Sequence, residues 1–194
     1  MQNIVDETFA QWVRGRTEVE SRIAIYNAIR DIPYAVIPEL NDPLRYREIL
    51  ALHKGSCTPK HFLLCAMYQK LGLEVLYAVY TFRWDEFEHL YPADLRKLVK
   101  SMPAGNHLAC KVKINSKYVL VDATVDPPLR KAGFPVTISW GGVDDTVLPV
   151  VPCGPEQLYH PSEADLMQKQ IIDEQSLAFY ARLNQWLERL RSER

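Results

Sequence analysis

Long apolar runs are missing from this 194-residue chain. No stretch approaches the roughly 18 uninterrupted apolar residues that a membrane helix needs, so no spanning segment is expected. An excess of charge of either sign is also missing: the net charge is -1. Without a basic surplus or a block of like charge, nucleic acid is not an expected partner. Cysteine is sparse, at positions 57, 65, 110 and 153. No CxxC spacing occurs, which argues against a structural zinc site, and no metal or cofactor is expected. The opening MQNIVDETFAQWVRGR carries Asp6 and Glu7 early and has no apolar stretch like that of a secretory signal. Four cysteines without such a signal read as free thiols in a reducing compartment, so a cytoplasmic protein is expected. Repeats and low-complexity tracts are absent as well. What remains is 47% hydrophobic and 24% charged, an ordinary composition for a globular domain with its own core.

Periodicity organises the chain. Thr17 to Arg30 reads as an amphipathic helix with Val19, Ile23, Tyr26 and Ile29 on one stripe. Pro33 stops it near Asp31, and the proline-bearing stretch 33–43 reads as extended or looped. A short helix is expected over Tyr46 to His53. After Gly55-Ser56-Cys57-Thr58-Pro59, the residues Leu63, Leu64, Met67 and Leu71 recur at helical spacing. Ser56 or Cys57 stands near the N-cap, Pro59 suits a first turn, and Gly72 suits the end. Leu73 to Phe82 reads as a strand, Pro92 to Lys100 as a helix with a basic end. Leu108 to Ile114 and Tyr118 to Asp122 read as strands joined by a turn at 115–117. Val125 to Pro155 is loop-like, with a short strand expected at Thr137 to Trp140. Ser162 to Arg191 reads as one long helix, capped by Ser162 with Asp165, and its charged end as solvated. Helices first and antiparallel strands later point to an α+β domain over 1–160, followed by a C-terminal helix over 161–194.

Three residues stand where chemistry could use them. Cys57 lies at a helix N-terminus, where the dipole and free backbone amides favour a thiolate and could hold an oxyanion. His107 begins a strand and could serve as general base and acid. Asp122 ends the next strand. In the expected hairpin, facing residues have numbers summing to about 231 to 233. The pair 107 and 122 comes close enough for the carboxylate to orient the imidazole. Asp126 is a rival for that place.

The segments Gly55-Ser56-Cys57, Leu71-Gly72-Leu73, Asn106-His107-Leu108-Ala109-Cys110 and Val121-Asp122-Ala123-Thr124 match, in order and rough spacing, the motifs of a known family. The chain resembles the transglutaminase-like superfamily of papain-type cysteine enzymes over roughly residues 25–128. That resemblance implies a papain-like fold, with the cysteine-bearing helix packed on an antiparallel sheet. It also implies acyl transfer through a Cys57–His107–Asp122 triad, with peptide, protein or small amide substrates. Two departures stand beside it. Ala109 and Lys111 occupy places where the family often has an aromatic residue and an acid. An upstream glutamine for the oxyanion hole is lacking, which leaves Tyr46 and His53 as substitutes.

Each residue also has a plainer reading. A lone cysteine is most often a core thiol, and Cys65 and Cys110 read that way. His107 could be a turn histidine, and Asp122 could merely start the turn before Pro127. His61 reads as a partly exposed helix histidine, and His89 and His160 as surface groups. Trp84 and Asn106 are candidate substrate contacts, although Trp84 reads equally as an anchor in a surface loop. The first functional reading is a cysteine hydrolase or acyltransferase on amide bonds. A non-catalytic peptide-binding module is the second, and acetyl transfer from coenzyme A the third. Oligomeric state is not legible in the sequence.

Overall fold

The computed structural model describes residues 4–167 and 172–193. It is a mixed α/β fold with one antiparallel sheet of order β3-β2-β1-β4, built from β1 (Val75–Phe82), β2 (Gly105–Ile114), β3 (Lys117–Val121) and β4 (Gln157–Tyr159). Helices α1 (Ile4–Val13), α2 (Glu18–Arg30) and the short α3 (Ile49–Leu52) precede α4 (Cys57–Lys70). Helix α5 (Ala93–Val99) lies between β1 and β2, and α6 (Glu174–Ser192) is the long C-terminal helix. Among the described residues no helix is long and apolar enough to cross a membrane.

Helix α4 is the centre of the molecule. Phe62, Leu63, Leu64, Cys65, Met67 and Tyr68 are all buried, on every side of the helix. A helix apolar all round must be covered all round. It packs on the face of β2 that carries Leu108, Cys110, Val112 and Ile114, with Ile25, Tyr26 and Ile29 of α2 in the same core. The buried face of α2 thus includes Arg22 and Ile25 beside Tyr26 and Ile29, while Val19 from the expected stripe is exposed. A capping box between Thr17 and Glu20 starts α2 where the sequence places its first residue. The other sheet face is thinner, with Ala78, Tyr80 and Ala109 under Leu120, Leu148 and Val150.

The hairpin turns at Asn115 and Ser116, both at positive φ (49° and 67°). That is the two-residue turn whose twist suits paired strands. Its pairing Ile114↔Lys117 runs on to Cys110↔Val121, so facing residues sum to 231. Asp122 lies one residue past the end of β3.

Several expected elements differ. Thr137 to Trp140 is not a strand. Its backbone is held by side chains instead: Arg30 Nη1 donates to the carbonyls of Thr137 and Ile138 (3.1 and 2.7 Å), and Tyr26 Oη donates to Thr137. The sheet gains β4 at its edge, paired with Tyr77–Val79 of β1. The long helix expected from Ser162 is two elements. A 3-10 turn, Pro161–Leu166, is capped by His160 with Glu163, and α6 starts afresh at Asp173, whose carboxylate accepts from the Ser176 amide (2.7 Å). Part of the expected helix, 168–171, lies outside the described residues. The end of α6 is also less solvated than its charges suggest. Arg191 makes a two-pronged ion pair with Asp126, both contacts at 2.8 Å. Helix α1, for which the sequence reading assigns no element, packs Val5 into the main core.

Candidate active site

The site starts with a backbone constraint. Residues 33–35 run beside Gly55 as a parallel bridge, with Gly55 N–H donating to Pro33 and Ala35 N–H to Gly55 (both 3.2 Å). A Cβ at Gly55 would stand 2.9 Å from Ile49 Cγ2, so only glycine lets the chain pass this close to α3. The next residue, Ser56, is the N-cap of α4, and Cys57 is its first residue. The Ser56 hydroxyl donates to Asn41 Oδ1 (3.1 Å).

His107 arrives from β2 and Asp122 from just beyond β3. The His107 Nε2–Asp122 Oδ2 distance is 2.6 Å, and both side chains are buried. With Nε2 so engaged, Nδ1 is the ring nitrogen left for Cys57, whose sulfur lies 3.9 Å from the Thr58 hydroxyl and feels the charge of His107. The structure therefore brings Cys57, His107 and Asp122 into one array, at relative exposures of 8%, 2% and 5%.

Burial and pairing oppose each other here. Burial pushes the Cys57 thiol up, but the charge and hydrogen bond of His107, with the Leu108 amide, pull it below the ordinary thiol value. Burial would lower His107, yet Asp122 and the Cys57 sulfur raise it well above the usual imidazole range. Burial raises Asp122, and His107, His61 and the Thr124 amide outweigh it downward. All three directions favour a thiolate beside an imidazolium beside a carboxylate.

The carboxylate is fixed from several sides. Its Oδ1 accepts from the Thr124 amide (2.9 Å), and the Asp122 amide donates to Thr146 Oγ1 (2.7 Å). His61 is fully buried, not partly exposed as the helix position suggests. Its Nδ1–H donates to the Cys57 carbonyl (2.8 Å) and its Nε2 accepts from the Ala123 amide (3.0 Å). That pairing requires the neutral ring, and burial lowers its pKa to about 4. Lys60, also buried, donates to the carbonyls of Arg30, Ile32 and Thr124 (3.0, 2.8 and 2.7 Å), and burial lowers it to about 7. Asp126 is occupied elsewhere, by Arg191 and the Tyr34 amide (2.8 Å).

A cavity opens beside the array. Cys57, His107, Asn41, Ser56, Thr58 and Asn106 are among the polar residues that line it, and Trp84, Phe82, Tyr91, Leu129, Tyr180 and Leu183 are among the aromatic and aliphatic ones. Asn106 and Trp84 thus both line it. Trp84 is not in a surface loop: it is 8% exposed, within the aromatic cluster of Phe82, Phe179 and Tyr180. Tyr46 and His53 do not line it; Tyr46 packs on Phe62, and His53 is exposed at a left-handed residue. Asn41 is the upstream amide that does line it. Its signal in the sequence was faint, because it is separated from Cys57 by α3 and reaches Ser56 only through the fold.

No family model matches this chain, and no curated protein matches it. Among solved structures, it is similar to one described as a "putative cysteine protease" from Cytophaga hutchinsonii, at 16% identity and a TM-score of 0.44. The match takes in 65% of this chain and 38% of that one, so the chain spans well under half of that protein's length.

Proposed function

We propose that this protein is a cysteine-dependent hydrolase or acyltransferase that works through a thioester acyl-enzyme, on a papain-like, transglutaminase-like core. The observation that carries the reading is the 2.6 Å His107–Asp122 contact, with Cys57 and His107 lining the same cavity. The location of Cys57 at the start of a 14-residue helix supports it further.

In this reading the Cys57 thiolate attacks the carbonyl carbon of an amide or ester, forming the S–C bond. The Cys57 backbone N–H and the Asn41 side-chain amide face the oxyanion that develops. His107 gives its Nδ1 proton to the departing amine or alcohol as the C–N or C–O bond breaks. Asp122 holds the ring tautomer and stabilises the imidazolium. His107 then takes a proton from water or an incoming amine, which attacks the thioester and releases the thiolate.

The test is the rate of iodoacetamide labelling at Cys57 against pH, in wild type and in His107→Ala. An activated pair gives wild type a thiolate limb well below that of an ordinary thiol, near pH 8.5, and the variant loses it. If Cys57 titrates like a free thiol in both proteins, or reacts in neither, the catalytic reading is wrong.

A further inference from the structure

His61 stands one turn after Cys57 on α4 and is 0% exposed. The acyl-transfer steps give it no role. A buried imidazole is unfavourable unless both of its nitrogens find partners, and a leucine would fill similar space without that requirement. Here both are satisfied, at opposite ends of one rigid ring. Nδ1–H donates to the Cys57 carbonyl (2.8 Å), and Nε2 accepts from the Ala123 amide (3.0 Å). The ring therefore spans from the residue of the nucleophile to the residue after the carboxylate, by a route that does not pass through His107.

Two consecutive amides follow Asp122, and they are divided between two acceptors. Ala123 N–H goes to His61 Nε2, and Thr124 N–H goes to Asp122 Oδ1 (2.9 Å). The two acceptor atoms lie 3.9 Å apart. Without an acceptor at the Nε2 place, Asp122 Oδ1 would be the one at hand for both amides, because a buried N–H left unpaired is strongly unfavourable. A turn drawn over to reach it would pull on a carboxylate whose other oxygen stands 2.6 Å from His107 Nε2. The rings of His61 and His107 lie edge to face, 6.2 Å apart between centroids. The ionisable groups whose charge His61 feels are Asp122, His107 and Lys60. Burial, helped by the positive charge of His107 and Lys60, outweighs the pull of Asp122 and keeps the ring neutral, as its two hydrogen bonds require.

We propose that His61 is a positioning residue of this site: its neutral ring, spanning from the Cys57 carbonyl to the Ala123 amide, fixes where the Asp122 carboxylate stands relative to the nucleophile and so keeps it on His107. His61 touches neither the thiol nor a substrate and acts only through Asp122. Its Nε2 lone pair is the atom that matters, since that atom takes the Ala123 amide away from the carboxylate. The inference rests on the acyl-enzyme reading above.

The test compares wild type with His61→Asn, His61→Gln and a control, Tyr68→Phe. Asn can place an amide nitrogen where Nδ1 stands but has no atom at the Nε2 place, whereas Gln can place its amide oxygen there. Tyr68→Phe deletes a buried hydrogen bond of the same helix, from the Tyr68 hydroxyl to the Arg22 carbonyl (3.2 Å). Each protein is melted, and the iodoacetamide rate at Cys57 is followed against pH. In His61→Asn the thiolate limb should move upward by about one pH unit, the low end of what an opposite charge supplies, so the rate on its steep part falls about tenfold. His61→Gln should restore the wild-type limb. Tyr68→Phe should melt lower with its limb unmoved, which separates positioning from mere loss of stability. A folded His61→Asn whose limb superimposes on wild type overturns the inference and leaves the acyl-enzyme reading standing. So does a limb displaced equally in His61→Gln or in Tyr68→Phe. If the His61 variants do not fold, ring-nitrogen NMR of wild type at pH 7 decides: a neutral His61 with its proton on Nδ1 is expected, and a proton on Nε2 overturns the inference. A wild-type Cys57 that titrates like an ordinary thiol overturns both readings.

Discussion

Replacing Asp122 by Asn removes a charge and turns the oxygen that faces His107 Nε2 into an NH2 donor. Asn keeps an oxygen for the Thr124 amide, which now donates to Asp122 Oδ1 at 2.9 Å. The variant should therefore fold, with a melting temperature within a few degrees of wild type. What it loses is the carboxylate 2.6 Å from His107 Nε2. Burial alone would drive the imidazolium to shed its proton, and Asp122 is the largest influence opposing this. An opposite charge at such range moves a titration by about 1–3 pH units. The imidazolium in turn is the largest influence holding the Cys57 thiolate against burial. In Asp122→Asn the thiolate limb of the iodoacetamide profile should thus move upward by about 1–3 pH units. On the steep part of the wild-type curve, the rate should fall about tenfold for each pH unit of that displacement. The assay is alkylation of Cys57 followed by mass spectrometry from pH 4 to 10, with thermal melts of both proteins. A profile that superimposes on wild type, in a folded variant, would refute the reasoning: the carboxylate would then be a turn residue that only happens to lie near the ring.

The remaining predictions concern the groups around the array. His61→Leu leaves the Ala123 amide without its acceptor and should lower stability at pH 7 by about 1–3 kcal/mol, read by denaturant unfolding. His61 also sets a pH dependence. Its folded pKa of about 4 lies below the unfolded 6.5, so its stabilising effect is present above 6.5 and is lost as pH falls toward 4. Wild type should lose about 3 kcal/mol through this group across that window, and His61→Leu should lack that component. Lys60→Met strands three buried carbonyls and should lower the melting temperature by about 5–10 °C, even though it also relieves a buried charge. Because the Lys60 folded value of about 7 is below 10.5, wild type should gain stability from pH 7 toward 10, and the Met variant should not gain it through this group. Asn41→Ala should cut the turnover of an acyl donor by about 100-fold while leaving iodoacetamide alkylation unchanged, since alkylation develops no oxyanion.

Much of the architecture was legible because it is written in local signals. Gly55 and Pro59 bracket the start of α4, Gly72 follows its end, and the Asn115-Ser116 turn fixes the hairpin register that carries His107 and Asp122 to the same end of the sheet. Other features depend on contacts far along the chain. Thr137 to Trp140 has strand-like residues, but Arg30 takes its carbonyls from more than 100 positions away. His61 looks like any helix histidine until the Ala123 amide is folded against it. Lys60 looks solvated until three carbonyls converge on its ammonium. Arg191 looks like part of a charged tail until Asp126, 65 residues earlier, pairs with it. In each case a polar side chain is buried because a distant backbone or charge needs it, and no periodicity records that need.

Those buried polar groups also divide the site into two parts of different origin. Cys57, Lys60 and His61 belong to the first turns of one helix. From there His61 holds Ala123 and Lys60 holds Thr124, the two residues that follow Asp122. The helix that supplies the nucleophile therefore also fixes the segment that supplies the carboxylate, and His107 is captured between them. The array is built entirely from α4, β2 and the end of β3. The walls of the cavity come from elsewhere: Trp84 from the turn after β1, Tyr180 and Leu183 from α6, Leu129 from the turn after Asp126. Substitutions in those walls can change which group fits without touching the hydrogen bonds of the array. Acyl preference and thiol reactivity should then vary independently across wall variants, whereas changes at Lys60 or His61 should move both together.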